Sequence, residues 1–171
     1  MGKWFLKLFF IFINLIFIST EVCLAIPTES HAVSMIRIYK HERRLLVLDK
    51  KGNIIKSYYV TFGFNPVGGK NQEGDGRTPE GKYFIAGKNM YSRFHKSLLI
   101  SYPNAQDRKR ASAMHINPGS AIMIHGTRQF GWLGSFHKLV NWTKGCIALN
   151  NNEIDEIYSL VPVGTPVEID P

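Results

Sequence analysis

Cysteine is scarce in this chain, and its scarcity narrows the possible functions. The 171 residues include two cysteines, Cys23 and Cys146. No cysteine pair and no His-Glu-x-x-His pattern occurs, so the sequence predicts neither a zinc site nor another metal or cofactor site. Five histidines are scattered without metal-ligand spacing and are expected to be surface or loop residues: His31, His41, His95, His115 and His137.

Other features are missing as well. Internal repeats and low-complexity tracts are absent. The glycine-rich stretch GGKNQEGDG (68–76) lacks the Gly-Lys-Ser/Thr ending of a phosphate-binding loop. Acidic residues are few, 13 against 21 Lys and Arg, which gives a net charge of +8. This excess favours anionic partners such as cell-wall polymers or lipid head groups.

The N-terminal 25 residues have the layout of a secretory signal peptide. Lys3 and Lys7 precede an apolar run from Leu8 to Ile18, and Ala25 closes a small-residue cleavage site. An uncleaved anchor is the alternative, but the run is shorter than the roughly 20 residues that span a bilayer. We expect residues 1–25 to direct export to the periplasm or cell envelope, with residues 26–33 as a linker.

Export makes nucleic acid the poorest of the anionic partners, and none is expected. Cleavage at Ala25 would also remove Cys23 and leave Cys146 as a single unpaired thiol. Such a thiol in an oxidising compartment is a liability unless it is buried or used in chemistry.

The remaining chain is predicted to be one mainly β domain over residues 34–170. Alternating β-branched and aromatic residues separated by Gly and Asn indicate hairpins, in SMIRIYK (34–40), RLLVLD (44–49) and IIKSYYVTFGF (54–64). Further strands are predicted in KYFIAG (82–87), LLISY (98–102), AIMIHG (121–126) and PVEI (166–169). Only residues 107–114 and 151–161 are expected to be helical, the second with Asn150 or Asn151 as N-cap.

Two positions carry candidate chemistry. His125 ends an apolar strand, and Gly126 lets the backbone turn there. Cys146 follows Gly145 after about twenty loop-like residues, so a return of the chain would bring the two side chains together. A free thiol has a pKa of about 8.5, and we expect the imidazole to lower it and take the proton. His137, on the intervening loop, is the competing base.

Gly145 has no side chain, so its backbone N–H and that of Cys146 can turn toward a developing oxyanion. The loop also carries Trp132 and Trp142, which either anchor it by packing or stack on sugar rings. From spacing alone a catalytic cysteine and a cysteine that merely packs remain equally open.

These residues resemble the signature of the L,D-transpeptidase catalytic domain family, which has the YkuD-type fold. The signature is His-Gly and, after a loop of this length, Ser/Thr-x-Gly-Cys and an apolar residue, here Thr143 to Ile147. DGRTPEGKYFI (75–85) is similar to the stretch before the family's central strands. ISYPNAQDRKRA (100–111), Pro118-Gly119 and the segment from WTKGCIA onward resemble a murein-tailoring subgroup.

The resemblance implies a single-domain, β-sandwich-like fold with one or two short helices. It also implies a cysteine acyltransferase that acts on peptidoglycan stem peptides and needs no cofactor. Cys146 would be the nucleophile, His125 the general base, and Gly145 part of the oxyanion site. Gly126, Thr143, Lys144 and Trp142 would line the substrate. No oligomeric state is predicted.

Two residues depart from the commonest family pattern. Lys144 stands where many relatives have His or Arg, and Ala148 where the commonest form has Arg, a carboxylate clamp. Both departures occur in the murein-tailoring subgroup, some of whose members resemble hydrolases. Three functions therefore remain: a transpeptidase, a hydrolase on the same fold (an L,D-carboxypeptidase or amidase), and a non-catalytic wall-binding module.

Overall fold

The structure, a computed structural model, describes residues 32–127 and 134–171. The predicted signal peptide and Trp132 lie outside these residues. The eight strands are β1 Val33–Tyr39, β2 Arg44–Asp49, β3 Ile54–Tyr59, β4 Gly81–Ser92, β5 His95–Ile100, β6 Met123–His125, β7 Ile147–Ala148 and β8 Pro166–Asp170. Two α-helices, α1 Ala105–Ala113 and α2 Asn151–Leu160, and a 3-10 helix, Gly134–Leu139, complete the domain.

The first hairpin shows how side-chain alternation builds the core. β1 and β2 pair antiparallel, with Ile36 opposite Val47 and Ile38 opposite Leu45. All four side chains are fully buried. Because residues two apart in a strand point to the same face, this pairing puts one apolar face of the hairpin into the core.

The strands form one curled sheet in the order β3-β2-β1-β8-β4-β5-β6-β7. The closing strand β8 lies at its centre, parallel to β1 and antiparallel to β4. At the far edge β6 and β7 pair in parallel. Residues just after β3 then reach this edge, where Thr61 bridges Ala148 and Gly63 bridges Thr143. The mainly β prediction is confirmed, and the curl brings the two ends of the sheet together.

Both predicted helices are present. α2 packs against β5, with Ile154 and Ile157 fully buried, and begins after Asn150, whose N–H donates to the Glu153 carboxylate. α1 begins two residues earlier than predicted because Asn104 and Asp107 form a capping box there. None of the helices within residues 32–127 and 134–171 has the length and apolar character needed to cross a bilayer.

The largest difference from the sequence-based elements concerns the loop between His125 and Cys146. Part of this predicted loop is the 3-10 helix Gly134–Leu139. Its His137 is 3% exposed, and its Nε2 donates a hydrogen bond to the Asn150 side-chain oxygen at 2.9 Å. The expectation that His137 is a surface or loop histidine is therefore wrong.

Candidate active site

Cys146 lies directly before β7, at the edge of the sheet. In the parallel pairing of β6 with β7, Ile124 is opposite Ile147 and His125 is opposite Ala148. Strand residues alternate between faces, so the residue before Ile147 and the residue after Ile124 project to the same face of the sheet. Cys146 and His125 therefore share one face, while the two isoleucines point into the core.

A single hydrogen bond determines the tautomer of His125. Its Nδ1 lies 2.6 Å from the carbonyl oxygen of Gly126. A carbonyl can only accept, so Nδ1 carries the proton and donates it. The other ring nitrogen, Nε2, is then an unprotonated acceptor, which is the form a general base requires.

Burial keeps both candidate catalytic groups neutral. It lowers the pKa of His125 to about 4, outweighing the hydrogen bond to Gly126, which raises it. Burial also raises the pKa of the Cys146 thiol, although the backbone N–H of Met123 and the charge of Lys70 pull it back. The thiol instead donates to the Ala121 carbonyl oxygen at 3.7 Å. The expectation that the imidazole lowers the thiol pKa does not hold in this resting state.

Aromatic side chains cover His125, which is 1% exposed. Phe94, from the turn between β4 and β5, stacks on the imidazole with ring centroids 4.5 Å apart. Trp142 meets the same ring edge-on at 5.9 Å and His137 at 6.3 Å. Trp142 thus packs within the site, as the anchoring interpretation requires. Its Nε1 and the Nδ1 of His137 are buried without a hydrogen-bond partner in the described part of the chain.

The two predicted site glycines sit where a side chain has no room. A Cβ on Gly126 would lie 2.6 Å from the Asn151 side-chain oxygen. At Gly145 it would lie 2.5 Å from the Arg77 carbonyl oxygen, and the φ of +119° disfavours any other residue. Both glycines therefore allow a close approach of backbone next to the candidate catalytic side chains.

Thr143 acts within the loop that holds Cys146. Its hydroxyl donates to the Cys146 carbonyl oxygen at 2.7 Å and accepts from the Gly145 N–H at 3.1 Å. The side chain is 4% exposed. The Gly145 N–H, predicted to face an oxyanion, is thus already paired. Lys144, between them, is exposed.

The stretch from Lys70 to Arg77 lies against the loop that carries Cys146, because the Arg77 carbonyl oxygen is next to Gly145. The sequence points to Cys146, His125 and the glycines, and to His137 as a competing base, but it gives no sign of Phe94 and no role for Lys70. Only the lysine in a glycine-rich loop offered a signal, and it lacked the phosphate-loop pattern. No cluster of three or more metal-ligating side chains occurs among the residues described here.

Comparison with known proteins gives matches to one family. The family model described as L,D-transpeptidase catalytic domain (YkuD) matches residues 34–169. YafK of Escherichia coli K12, provisionally named an L,D-transpeptidase, is 32% identical over 131 residues, 74% of this chain and 46% of YafK.

Solved structures show the same fold. The helical cell shape determining protein Pgp2 of Campylobacter jejuni superposes with a TM-score of 0.63 at 26% identity, covering 80% of this chain and 47% of Pgp2. An L,D-transpeptidase from Xylanimonas cellulosilytica superposes with a TM-score of 0.51 at 15% identity, covering 82% of this chain and 62% of that protein's chain. The chain spans about half the length of YafK and Pgp2.

Proposed function

The chain belongs to the L,D-transpeptidase catalytic domain family, and from this premise we propose that it is an exported cysteine enzyme that modifies peptidoglycan stem peptides. Cys146 is the nucleophile and His125 the general base. The observation that carries the proposal is the pair of side chains on one face of the β6–β7 edge, with Nδ1 of His125 bound to Gly126 and Nε2 left as a proton acceptor.

The first half-reaction starts from two neutral groups. Sγ of Cys146 attacks the carbonyl carbon of the L-centre that precedes a terminal D-residue, while Nε2 of His125 takes the thiol proton. The imidazolium then returns a proton to the nitrogen of the departing D-residue. The C–N bond breaks and a thioester remains on Cys146. Proton transfer accompanies attack because burial opposes a standing thiolate–imidazolium pair.

The backbone around Cys146 supports the oxyanion of this step. The N–H of Gly145 is bonded to Thr143 in the substrate-free site. We therefore assign the Cys146 N–H as the first oxyanion donor, and we assign Gly145 the conformational role of letting the chain turn beside Arg77. Thr143 supports this turn from within, and Lys144 and Trp142 border the substrate.

Two acceptors can resolve the thioester: an amine, which gives transfer, or water, which gives hydrolysis. One observation favours hydrolysis as the second candidate. Ala148, at the position of the family's usual Arg, is fully buried and bridged to Thr61. This position therefore holds no carboxylate clamp for a second stem peptide. A wall-tailoring role of either kind is consistent with the cell-shape function stated for Pgp2.

Digestion of purified sacculi followed by muropeptide analysis tests the proposal. New cross-links mean transfer and shortened stems mean hydrolysis. The Cys146→Ser variant is the control, since an alkoxide is much harder to form than a thiolate while the side chains are close in size. We expect it to keep the wild-type melting temperature and lose turnover. Unchanged muropeptides with wild-type protein, together with slow thiol labelling, would instead support a wall-binding module.

Residues 1–25 are proposed to direct export, with cleavage after Ala25. N-terminal sequencing of the protein from the periplasm should then begin at Ile26. A chain that keeps Met1 in the membrane fraction would support the retained anchor instead.

A further inference from the structure

We propose that Lys70 is an electrostatic positioning residue for the nucleophile: its ammonium, held in place by Asp75, supplies the positive charge that stabilises the thiolate of Cys146 as it forms. The inference rests on the proposed function only in taking Cys146 as the nucleophile. Neither the family signature nor the proposed mechanism uses Lys70.

The Cys146 thiolate needs a positive charge nearby to stabilise it. His125 is buried and neutral near pH 7, and it becomes positive only after it has taken the thiol proton. The thiol is itself in surroundings that disfavour its anion. A fixed positive charge nearby offsets this cost, because charges interact strongly where water is largely excluded.

Lys70 is built to hold such a charge. Its side chain is 4% exposed, and its Nζ donates to the Asp75 carboxylate at 2.8 Å and to the Gln72 carbonyl at 3.1 Å. These bonds use two of the three N–H donors of the ammonium. A buried ammonium with a donor to spare suits an anion that exists only during the reaction.

Asp75 fixes the position of this ammonium. Besides Lys70, its carboxylate accepts from the backbone N–H groups of Asn71, Gln72 and Arg77 at 2.8 to 3.1 Å. Burial alone would raise the pKa of Asp75, but these bonds lower it to about 2. The carboxylate is therefore ionised throughout the working pH range and anchors the lysine.

The same loop touches the nucleophile loop. Asp75 bonds to the N–H of Arg77, and the carbonyl of Arg77 lies against Gly145, the residue before Cys146. From the other side Arg110 of α1 donates to the Lys70 carbonyl at 2.9 Å and to Asp107 at 2.7 Å. The charge of Lys70 lowers the pKa of the Cys146 thiol against the effect of burial, and Asp75 and Arg110 flank the lysine.

Lys40 provides a matched control. It too is a 4% exposed lysine, paired with Glu80 at 2.6 Å and bonded to the Gly68 carbonyl at 2.7 Å. Of the two lysines, Lys70 is the one among the groups that lower the pKa of the Cys146 thiol. Loss of either lysine removes a buried ion pair, but only loss of Lys70 should change the charge at the nucleophile.

Alkylation of Cys146 by anionic iodoacetate and neutral iodoacetamide measures that charge without substrate. The quantity measured is the rate with iodoacetate divided by the rate with iodoacetamide. Mass spectrometry of the Cys146 peptide gives both rates without a contribution from Cys23. The urea-unfolded chain gives the reference ratio. We expect the folded wild-type ratio to exceed the reference by roughly threefold or more. Lys70→Met should remove the excess and raise the pH midpoint of alkylation by about one unit. Lys70→Arg and Lys40→Met should keep the wild-type ratio.

Lys70→Met leaves Asp75 as a buried unpaired carboxylate, which is destabilising. The double variant Lys70→Met/Asp75→Asn has no such unpaired carboxylate. Its ratio is therefore compared with that of Asp75→Asn alone. A wild-type ratio no higher than that of the unfolded chain overturns the proposal without any variant, as does an unchanged ratio in a folded variant lacking Lys70. If the ratio behaves as expected but sacculi are untouched, the proposed function fails while the role of Lys70 stands. If sacculi are processed but the wild-type ratio equals that of the unfolded chain, the role of Lys70 fails while the proposed function stands.

Discussion

His125 and Cys146 are kept neutral by the same cause, their removal from water beneath aromatic and backbone groups. For the proposed mechanism this means that His125 is in the form of a base over the whole neutral range. It also means that Cys146, as the proposed nucleophile, is activated only when His125 takes its proton. A buried neutral thiol is less exposed to oxidation than a standing thiolate, because the thiolate is the reactive species. Burial of this kind makes an unpaired cysteine tolerable if the chain is exported, as proposed.

The depressed pKa of His125 makes stability depend on pH. In the unfolded chain His125 binds a proton below about pH 6.5, whereas in the folded chain it does so only below about 4. Between these values the unfolded state binds more protons, so stability is complete above pH 6.5 and falls as the pH drops toward 4. The loss should reach about 3 kcal/mol.

Urea unfolding of wild type and His125→Gln between pH 4 and 7 measures this contribution. Glutamine does not titrate, so the variant should lack this part of the slope. Equal slopes in the two proteins would show that His125 titrates normally in the folded state.

Single residues were predicted unevenly. Cys146 and His125 stand out in the sequence because an unpaired cysteine and a histidine before a glycine are local features. The low pKa of His125 comes from burial beneath Phe94 and Trp142, which lie far from it in sequence, and no local pattern carries that information. Lys70 was not singled out either. Its proposed relation to Cys146 depends on a contact between Arg77 and Gly145, which no local pattern specifies.

At the scale of elements, one glycine in the loop before β7 determines the position of Cys146, the proposed nucleophile. Gly145→Ala would put a Cβ 2.5 Å from the Arg77 carbonyl oxygen at a φ of +119°. We expect Cys146 to be displaced, with turnover reduced at least about a hundredfold and a cost in stability of roughly 2–4 kcal/mol.

Gly52→Ala is the matched control. Gly52 also has a positive φ, +84°, in the turn between β2 and β3, but a Cβ there meets nothing within 4 Å. The Gly52→Ala variant should lose about 1 kcal/mol in free energy of unfolding and keep its turnover unchanged. Thermal unfolding and the sacculus assay give both quantities. Equal activity losses in the two variants would refute the argument from close approach.

The hairpin of β4 and β5 shields His125 through Phe94. Removal of this ring in Phe94→Ala should let water reach the imidazole, raising its pKa from about 4 toward the ordinary value. The acid limb of the pH–rate profile should then shift to higher pH by about one pH unit. Tyr91→Ala, an 89% exposed aromatic on the same hairpin, should leave it in place. An NMR titration of His125 would measure the shift directly, and an unchanged pKa would mean that Phe94 is not the shield.

Elements with a clear period were predicted well, and segments whose course depends on distant partners were not. The alternation in β1 and β2 and the helical spacing in α2 follow from local burial. The segment VTFGF (60–64) was predicted as a continuation of β3, yet the chain leaves β3 after Tyr59 because Thr61 and Gly63 pair with the β7 edge. That pairing joins residues at least 80 positions apart, which no local pattern specifies.

At the scale of the whole molecule, the net charge of +8 should bring the enzyme to anionic wall polymer before any specific contact forms. Export with cleavage after Ala25 would remove Lys3, Lys7 and Glu21 and leave +7 on the remaining chain. Exposed charges are screened over about 8 Å at physiological ionic strength, so an attraction of this kind weakens with added salt. Contacts inside the buried site are screened much less.

Retention of the Cys146→Ser variant on intact sacculi, measured by co-sedimentation over a range of NaCl concentrations, tests this attraction without turnover. Retention should fall steeply as salt rises. Lys109→Gln, which removes an exposed charge from α1, should lower retention at low salt by up to about twofold, since one exposed charge contributes less than 1 kcal/mol. Gln106→Ala, exposed on the same helix, leaves the charge unchanged and should bind as the parent does. Retention that ignores salt would assign wall binding to the site itself, because only buried or apolar contacts escape screening.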